Sequence, residues 1–419
     1  MRKRIDFVLT WKRIGLAGAA GVLAAFAVGW SGMVPIAASS GHFAPVGWFL
    51  HWVMGNAAEK QSLAVTIPDD LDLSDPSLVK RGAGHFATGC APCHASPTEK
   101  QSPVVLSMTP HPPRLEDRIP EWSDRELFWI VQHGIKYTGM PAWPTQHRSD
   151  EIWAQVAFLR ALPGMPPAAY RDLALSGGDA ADAGAETGVD ADPAFADALA
   201  DCARCHGRDG YGRGPAGTFP VLAGQPADYL YASLLAYAAG KRASGFMQPP
   251  ARRYEADVLE RLARHYAAVE GPEAVTPIVA AAVAETGTQP LRTGTAETVL
   301  PAAASGPPHD REGLLALGRM LAETGLPDRK LPACESCHGP DGPNRETLRN
   351  AAYPRLAGQP EWYLATQLHL WKEGERGGTA YAHVMRNIAK HLTDEHIEAV
   401  SAWYGQTASG DDAEKEIRP

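Results

Sequence analysis

No cysteine in this 419-residue chain is left over for a disulfide framework: all 6 fall inside three short stretches, CAPCH (90–94), CARCH (202–206) and CESCH (334–338). A zinc site is short of ligands too, because each stretch offers at most three and has no second Cys/His pair nearby at finger spacing. A thioredoxin-like redox pair would need flanking strand and helix patterns that are missing here. Basic charge is scarce as well: 39 Lys and Arg stand against 48 Asp and Glu, a net charge of -9, which excludes nucleic acid as a partner. Five basic residues (Arg2, Lys3, Arg4, Lys12, Arg13) and Asp6 lie in the first thirteen positions, so the remainder carries 34 against 47, or -13. The working part is acidic and suits a partner with a lysine-rich docking face.

What is present is one pattern three times over. Two thiols three positions apart can add across the vinyl groups of a haem while the adjacent imidazole takes its iron. The reading is three covalently bound haem c groups, held by Cys90, Cys93, Cys202, Cys205, Cys334 and Cys337, with His94, His206 and His338 on the metal. The length allows about three domains, one haem in each. Gly 41 and Pro 35 are high counts, in keeping with loop-rich domains that use a cofactor as core.

Charge is absent from Ile14 to Ala38, and basic residues lie only on the N-terminal side of that run. This predicts a membrane anchor with its N-terminus in the cytoplasm. A cleaved signal peptide ending near Ala37 and Ala38 is the competing reading. The aromatic segment that follows, with Trp48, Phe49 and Trp52, suits a membrane interface and favours retention. The expected arrangement is a single anchor in a bacterial inner membrane with haem domains in the periplasm: residues 1–60 anchor and interfacial segment, 74–163 first domain, 164–192 linker, 193–271 second domain, 272–308 linker and 309–405 third domain. The segment 164–192 lacks hydrophobic periodicity and reads as solvated. In 272–308 the apolar burst Val275–Val283 is too short to span a bilayer, and the charged C-terminus offers no second anchor.

In the first domain a helical stretch from Leu78 to Phe86 leads into Cys90, Ser123 with Glu126 opens a capped helix, and a loop holding Met140 precedes a last helix from Asp150. This resembles a class I c-type cytochrome, which implies an all-α fold of three such domains in series behind the transmembrane helix. In the second and third domains CHGRDG matches CHGPDG, and FPVLAGQPADYL (219–230) matches YPRLAGQPEWYL (353–364), an internal duplication. The pair resembles the cytochrome c4-like tandem dihaem proteins.

The resemblance implies a methionine opposite each histidine. Met140 fits in the first domain, with Met108 and Met165 as alternatives; Met247 is the only methionine between His206 and Gly271, and Met385 the only one after His338. His265, His383 and His391 are the alternatives that would give bis-histidine iron. The resemblance also implies a proline carbonyl accepting from each axial histidine's outer nitrogen, at Pro220, Pro354 and Pro113, the last in a neighbourhood (HPPRLED) that departs from the pattern. A six-coordinate His/Met iron has no open position, so the expected role is electron transfer without catalytic residues. Two functions follow: a respiratory carrier passing electrons to a terminal oxidase from a quinol-oxidising complex or soluble cytochrome, or the cytochrome subunit of a periplasmic flavin or quinoprotein dehydrogenase.

Overall fold

The computed structural model describes residues 10–34, 36–175, 192–271, 310–339 and 350–406. Its first element is a helix, α1 (Trp11–Trp30), started by the Thr10 hydroxyl and exposed along its whole length, with mean hydropathy 1.5. At 1.5 Å per residue it measures about 30 Å, one hydrocarbon thickness. The uncharged run continues to Ala38 but the helix does not: Ser31 turns its hydroxyl back onto the Val28 carbonyl at 2.7 Å, and Gly32 adopts a positive φ. A second helix, α2 (Ala44–Gln61), carries exposed Trp48, Phe49 and Trp52, while its last turn buries Ala58.

Three helical units follow, each opening on a helix that leads to a Cys-Cys-His motif. In the first unit α3 (Pro76–His85) is capped by Asp75 and widens into a π-turn, Phe86–Cys90, before the one-turn helix α4 (Ala91–His94). The capping box of Ser123 and Glu126 starts α5 (Asp124–His133), and α6 (Ser149–Ala161) closes the unit. Helices α3 and α6 cross where Gly82 has no side chain, because a Cβ there would collide with the Ala154 carbonyl. Phe86, Ile152, Val156, Phe158 and Leu162 fill the core.

The expected linker 164–192 begins as part of this unit. Pro167–Ala174 forms helix α7, which buries Tyr170 and Ala174 against Phe86 and Phe158 and receives Lys80 Nζ on the Leu173 carbonyl at 2.6 Å. Its apolar residues are too widely spaced to show periodicity in sequence, yet they suffice to dock one short helix. The second expected linker, 272–308, lies outside the described residues.

The second unit comprises α8 (Pro193–His206), α9 (Ala227–Ala238), α10 (Gln248–Arg253) and α11 (Ala256–Ala268) around Phe195, Leu230, Leu262 and Tyr266. The third comprises α12 (Arg311–Glu323), α13 (Glu335–His338), α14 (Glu361–Glu373), α15 (Ala382–Ala389) and α16 (Asp394–Tyr404). Its glycine crossing repeats the first unit's, with Gly318 against the Ala399 carbonyl. A two-stranded antiparallel ribbon, Gly325–Leu326 with Leu331–Pro332, is a small departure from the all-α expectation.

The second and third units meet through a reciprocal exchange. Gln225 accepts from Arg355 N at 3.0 Å and donates to Arg355 O at 2.9 Å; Gln359 accepts from Val221 N at 3.1 Å and donates to Val221 O at 2.8 Å. These glutamines occupy the same place in the two LAGQP copies, so the repeat packs on itself about a local two-fold.

Candidate haem-attachment sites

Each motif histidine stands at a helix end, and the following residue (Ala95, Gly207 or Gly339) has φ between 65° and 83°. Glycine takes that conformation freely, whereas Ala95 holds it at a cost of about 1 kcal/mol or more. The sharp turn swings the chain back past the imidazole. Nδ1 of His94 lies 2.8 Å from the Pro113 carbonyl, that of His206 3.3 Å from Pro220, and that of His338 2.9 Å from Pro354. A carbonyl only accepts, so Nδ1 carries the proton and Nε2 keeps its lone pair. Burial lowers all three histidines, His206 to about 4, against a smaller upward pull from the proline carbonyls. They are neutral at ordinary pH, as a metal ligand must be.

The thiols sit in an opposite electrostatic setting from that of reactive cysteines. Burial pushes Cys90, Cys202 and Cys334 up to about 12 and Cys205 to about 11. A redox or metal-binding pair needs accessible thiolate; these positions favour uncharged sulfur, which a thioether supplies. Among the described residues no three His, Cys, Asp or Glu side chains converge to hold a separate metal ion.

In the third unit an apolar cleft brings Cys334, Cys337, His338, Pro354 and Met385 together. Met385 projects from α15, Met247 immediately precedes α10, and Met140 sits in the loop before α6 with its amide on Thr138 Oγ1 at 3.1 Å. Met108 reaches the same loop beside Gly139, whereas Met165 packs against the first unit's core. Of the alternative histidines, His265 donates from Nε2 to the Arg208 carbonyl at 3.0 Å, and His383 and His391 are exposed.

The cleft reaches into the second unit, where sequence reasoning missed a pair of arginines. Arg242 and Arg376 are 3% and 8% exposed, and their backbones bridge across the local two-fold. Arg242 donates to Tyr363 Oη at 2.8 Å and Gln367 Oε1 at 2.9 Å, and Arg376 to Tyr229 Oη at 3.3 Å. Among the described residues neither is paired with a carboxylate, and Arg242 Nε is left without a partner. Burial alone would raise Tyr229, but the two guanidiniums outweigh it and bring the phenol down to about 7. Two buried guanidiniums with no carboxylate partner favour a negatively charged guest in the cleft. Haem, apolar with two carboxylates at one edge, fits this donor set. The available signal was the repeat: Arg242 follows Gln225 at the interval by which Arg376 follows Gln359.

Comparison with known proteins agrees with this chemistry. The family described as cytochrome c oxidase, cbb3-type, subunit III matches residues 77–159, and the family described as cytochrome c matches residues 194–258. A thiosulfate dehydrogenase electron acceptor from Stutzerimonas stutzeri is 31% identical over 212 residues, covering 50% of this chain and 81% of that protein. A cytochrome c4 from Azotobacter vinelandii is 31% identical over 212 residues, covering 48% of this chain and 82% of its own. The crystal structure of reduced recombinant cytochrome c4 from Pseudomonas stutzeri aligns with TM-score 0.37 at 26% identity, covering 52% of this chain and 97% of that one.

Proposed function

Because the chain belongs to the c-type cytochromes, among them the cytochrome c4 family, we propose that it is an anchored periplasmic relay carrying single electrons through three haems in a respiratory chain towards a terminal oxidase. The observation that carries this reading is the direct packing of three motif-bearing units on one another. When bound, each haem supplies reversible one-electron chemistry.

The chain's own residues do the rest. Cys90 with Cys93, Cys202 with Cys205, and Cys334 with Cys337 tether the groups. His94, His206 and His338 offer Nε2 to the metal, each ring oriented through Nδ1 by Pro113, Pro220 or Pro354. Met140, Met247 and Met385 are the residues that would supply each bound haem with a second protein ligand, and thioether ligation would raise its potential. Arg242 and Arg376, which line the cleft between the second and third units, would neutralise the carboxylates of a haem bound there. Helix α1, long and apolar enough to cross a bilayer, supports membrane attachment, and the match of 77–159 to an oxidase subunit supports an oxidase as acceptor.

A second reading is favoured by one specific observation, the relative described as the electron acceptor of thiosulfate dehydrogenase. On that reading the chain takes electrons from a periplasmic dehydrogenase. Gentle detergent extraction, native electrophoresis with haem staining and identification of co-migrating subunits separate the two. Oxidase or quinol-oxidising subunits are expected; a dehydrogenase subunit in their place overturns the first reading.

A further inference from the structure

The first unit reaches into the loop that carries Met247. Glu151, in the first turn of α6, is 3% exposed, and its carboxylate is committed to the second unit. Ser244 Oγ donates to Glu151 Oε1 at 2.5 Å and Gly245 N donates to Oε2 at 2.6 Å. The same Ser244 Oγ accepts from Met247 N at 3.0 Å. A carboxylate, a hydroxyl and a backbone amide therefore form one chain from α6 to Met247.

Everything around this chain holds it in place. Arg148 lies 3.0 Å from Glu151 Oε1, donates to the Ala243 carbonyl at 2.7 Å and forks onto Asp150 at 2.8 Å. Trp143 Nε1 donates to Glu151 Oε2 at 3.3 Å. The rings of His85, Trp143 and Phe246 meet at 4.7, 5.2 and 5.5 Å between centroids. Gly245 has no room for a side chain, since a Cβ would collide with the Trp143 indole. A buried carboxylate is a costly way to glue two surfaces together. What a fully satisfied one supplies is a single loop geometry.

We propose that Glu151 is a positioning residue acting across units: through Ser244 it holds the Met247 loop, so that docking of the first unit sets the ligation of the second haem. This rests on the reading that Met247 is that haem's second ligand.

The test uses the full-length, haem-loaded protein and three variants: Glu151→Gln, Ser244→Ala and Met247→Ala. The readouts are the methionine-to-ferric-iron charge-transfer absorption and the three midpoint potentials. Met247→Ala is expected to remove roughly a third of that absorption, one of three His/Met sites. Ser244→Ala, which deletes a single oxygen and leaves the core intact, and Glu151→Gln are expected to weaken the same component and lower one potential, leaving the other two in place. Wild-type absorption and three unchanged potentials in both clamp variants, with the Met247→Ala loss observed, overturn the clamp alone. An intact absorption in Met247→Ala overturns the ligand assignment and the clamp with it.

Discussion

A histidine five residues ahead of the first attachment cysteine illustrates how far a single side chain can be tuned by its neighbours. His85 lies against Trp143 and Phe246, and burial lowers it to about 4. Its folded-state value is depressed below that of the unfolded chain, so its contribution to stability is complete above about pH 6.5 and is lost as pH falls towards 4. The loss is at most about 3 kcal/mol. Acid unfolding of a His85→Phe variant, followed by circular dichroism, is expected to be flatter than wild type between pH 6 and 4. A curve as steep as wild type would place the acid sensitivity elsewhere. Nothing in the sequence singled this residue out, because the rings that pack on it, Trp143 and Phe246, come from two distant segments of the chain.

At the scale of elements, the glycine crossings carry the packing of the first and third units. Gly82 in α3 and Gly318 in α12 each let a helix backbone approach the carbonyl of a helix over seventy residues away, Ala154 and Ala399. Each added methyl group has backbone in its way, so relief requires the helices to separate. Gly82→Ala and Gly318→Ala are each expected to cost about 1–3 kcal/mol by overpacking, measured as a lowered melting temperature of the haem-loaded protein. Unchanged melting would mean that the helices slide apart freely. The helices themselves were legible: the Ser123 and Glu126 capping box, the helix entering Cys90 and the final helix from about Asp150 all stand near their expected positions. Helix α7 was hidden, since its two buried residues make sense only against Phe86 and Phe158.

At the scale of the whole molecule, the duplication is turned into an interface. Gln225 and Gln359 satisfy half-buried backbone groups of Arg355 and Val221, next to the two prolines that face His338 and His206, which ties the geometry of one attachment site to the other. Replacing both with alanine leaves those peptide groups unpaired at about 1–3 kcal/mol each. Calorimetry of the Gln225→Ala, Gln359→Ala double variant is expected to split a shared transition of the second and third units into two. A single transition at the wild-type temperature would show that the exchange contributes little. The first unit contacts both of the others: Glu151 meets Ser244, a Cβ on Gly84 would come within 2.7 Å of Cys205 Sγ, and Arg81 lies 4.2 Å over the Trp362 ring. The sequence led to the expectation of a solvated linker over 164–192; its first part, Pro167–Ala174, packs on the first unit, and residues 176–191 lie outside the described residues.

The sequence by itself determined the chemistry. Three Cys-Cys-His motifs, six cysteines all used, an uncharged N-terminal run and a repeated LAGQP segment are local patterns whose meaning is set by covalent reach and spacing along the chain. Only the tertiary structure decided which surfaces meet. Glu151 with Ser244, Arg242 with Arg376, and Gln225 with Arg355 are separated by some ninety residues or more. No local pattern encodes such pairs, because a buried charge or amide becomes informative only when the partner that compensates its desolvation is in view.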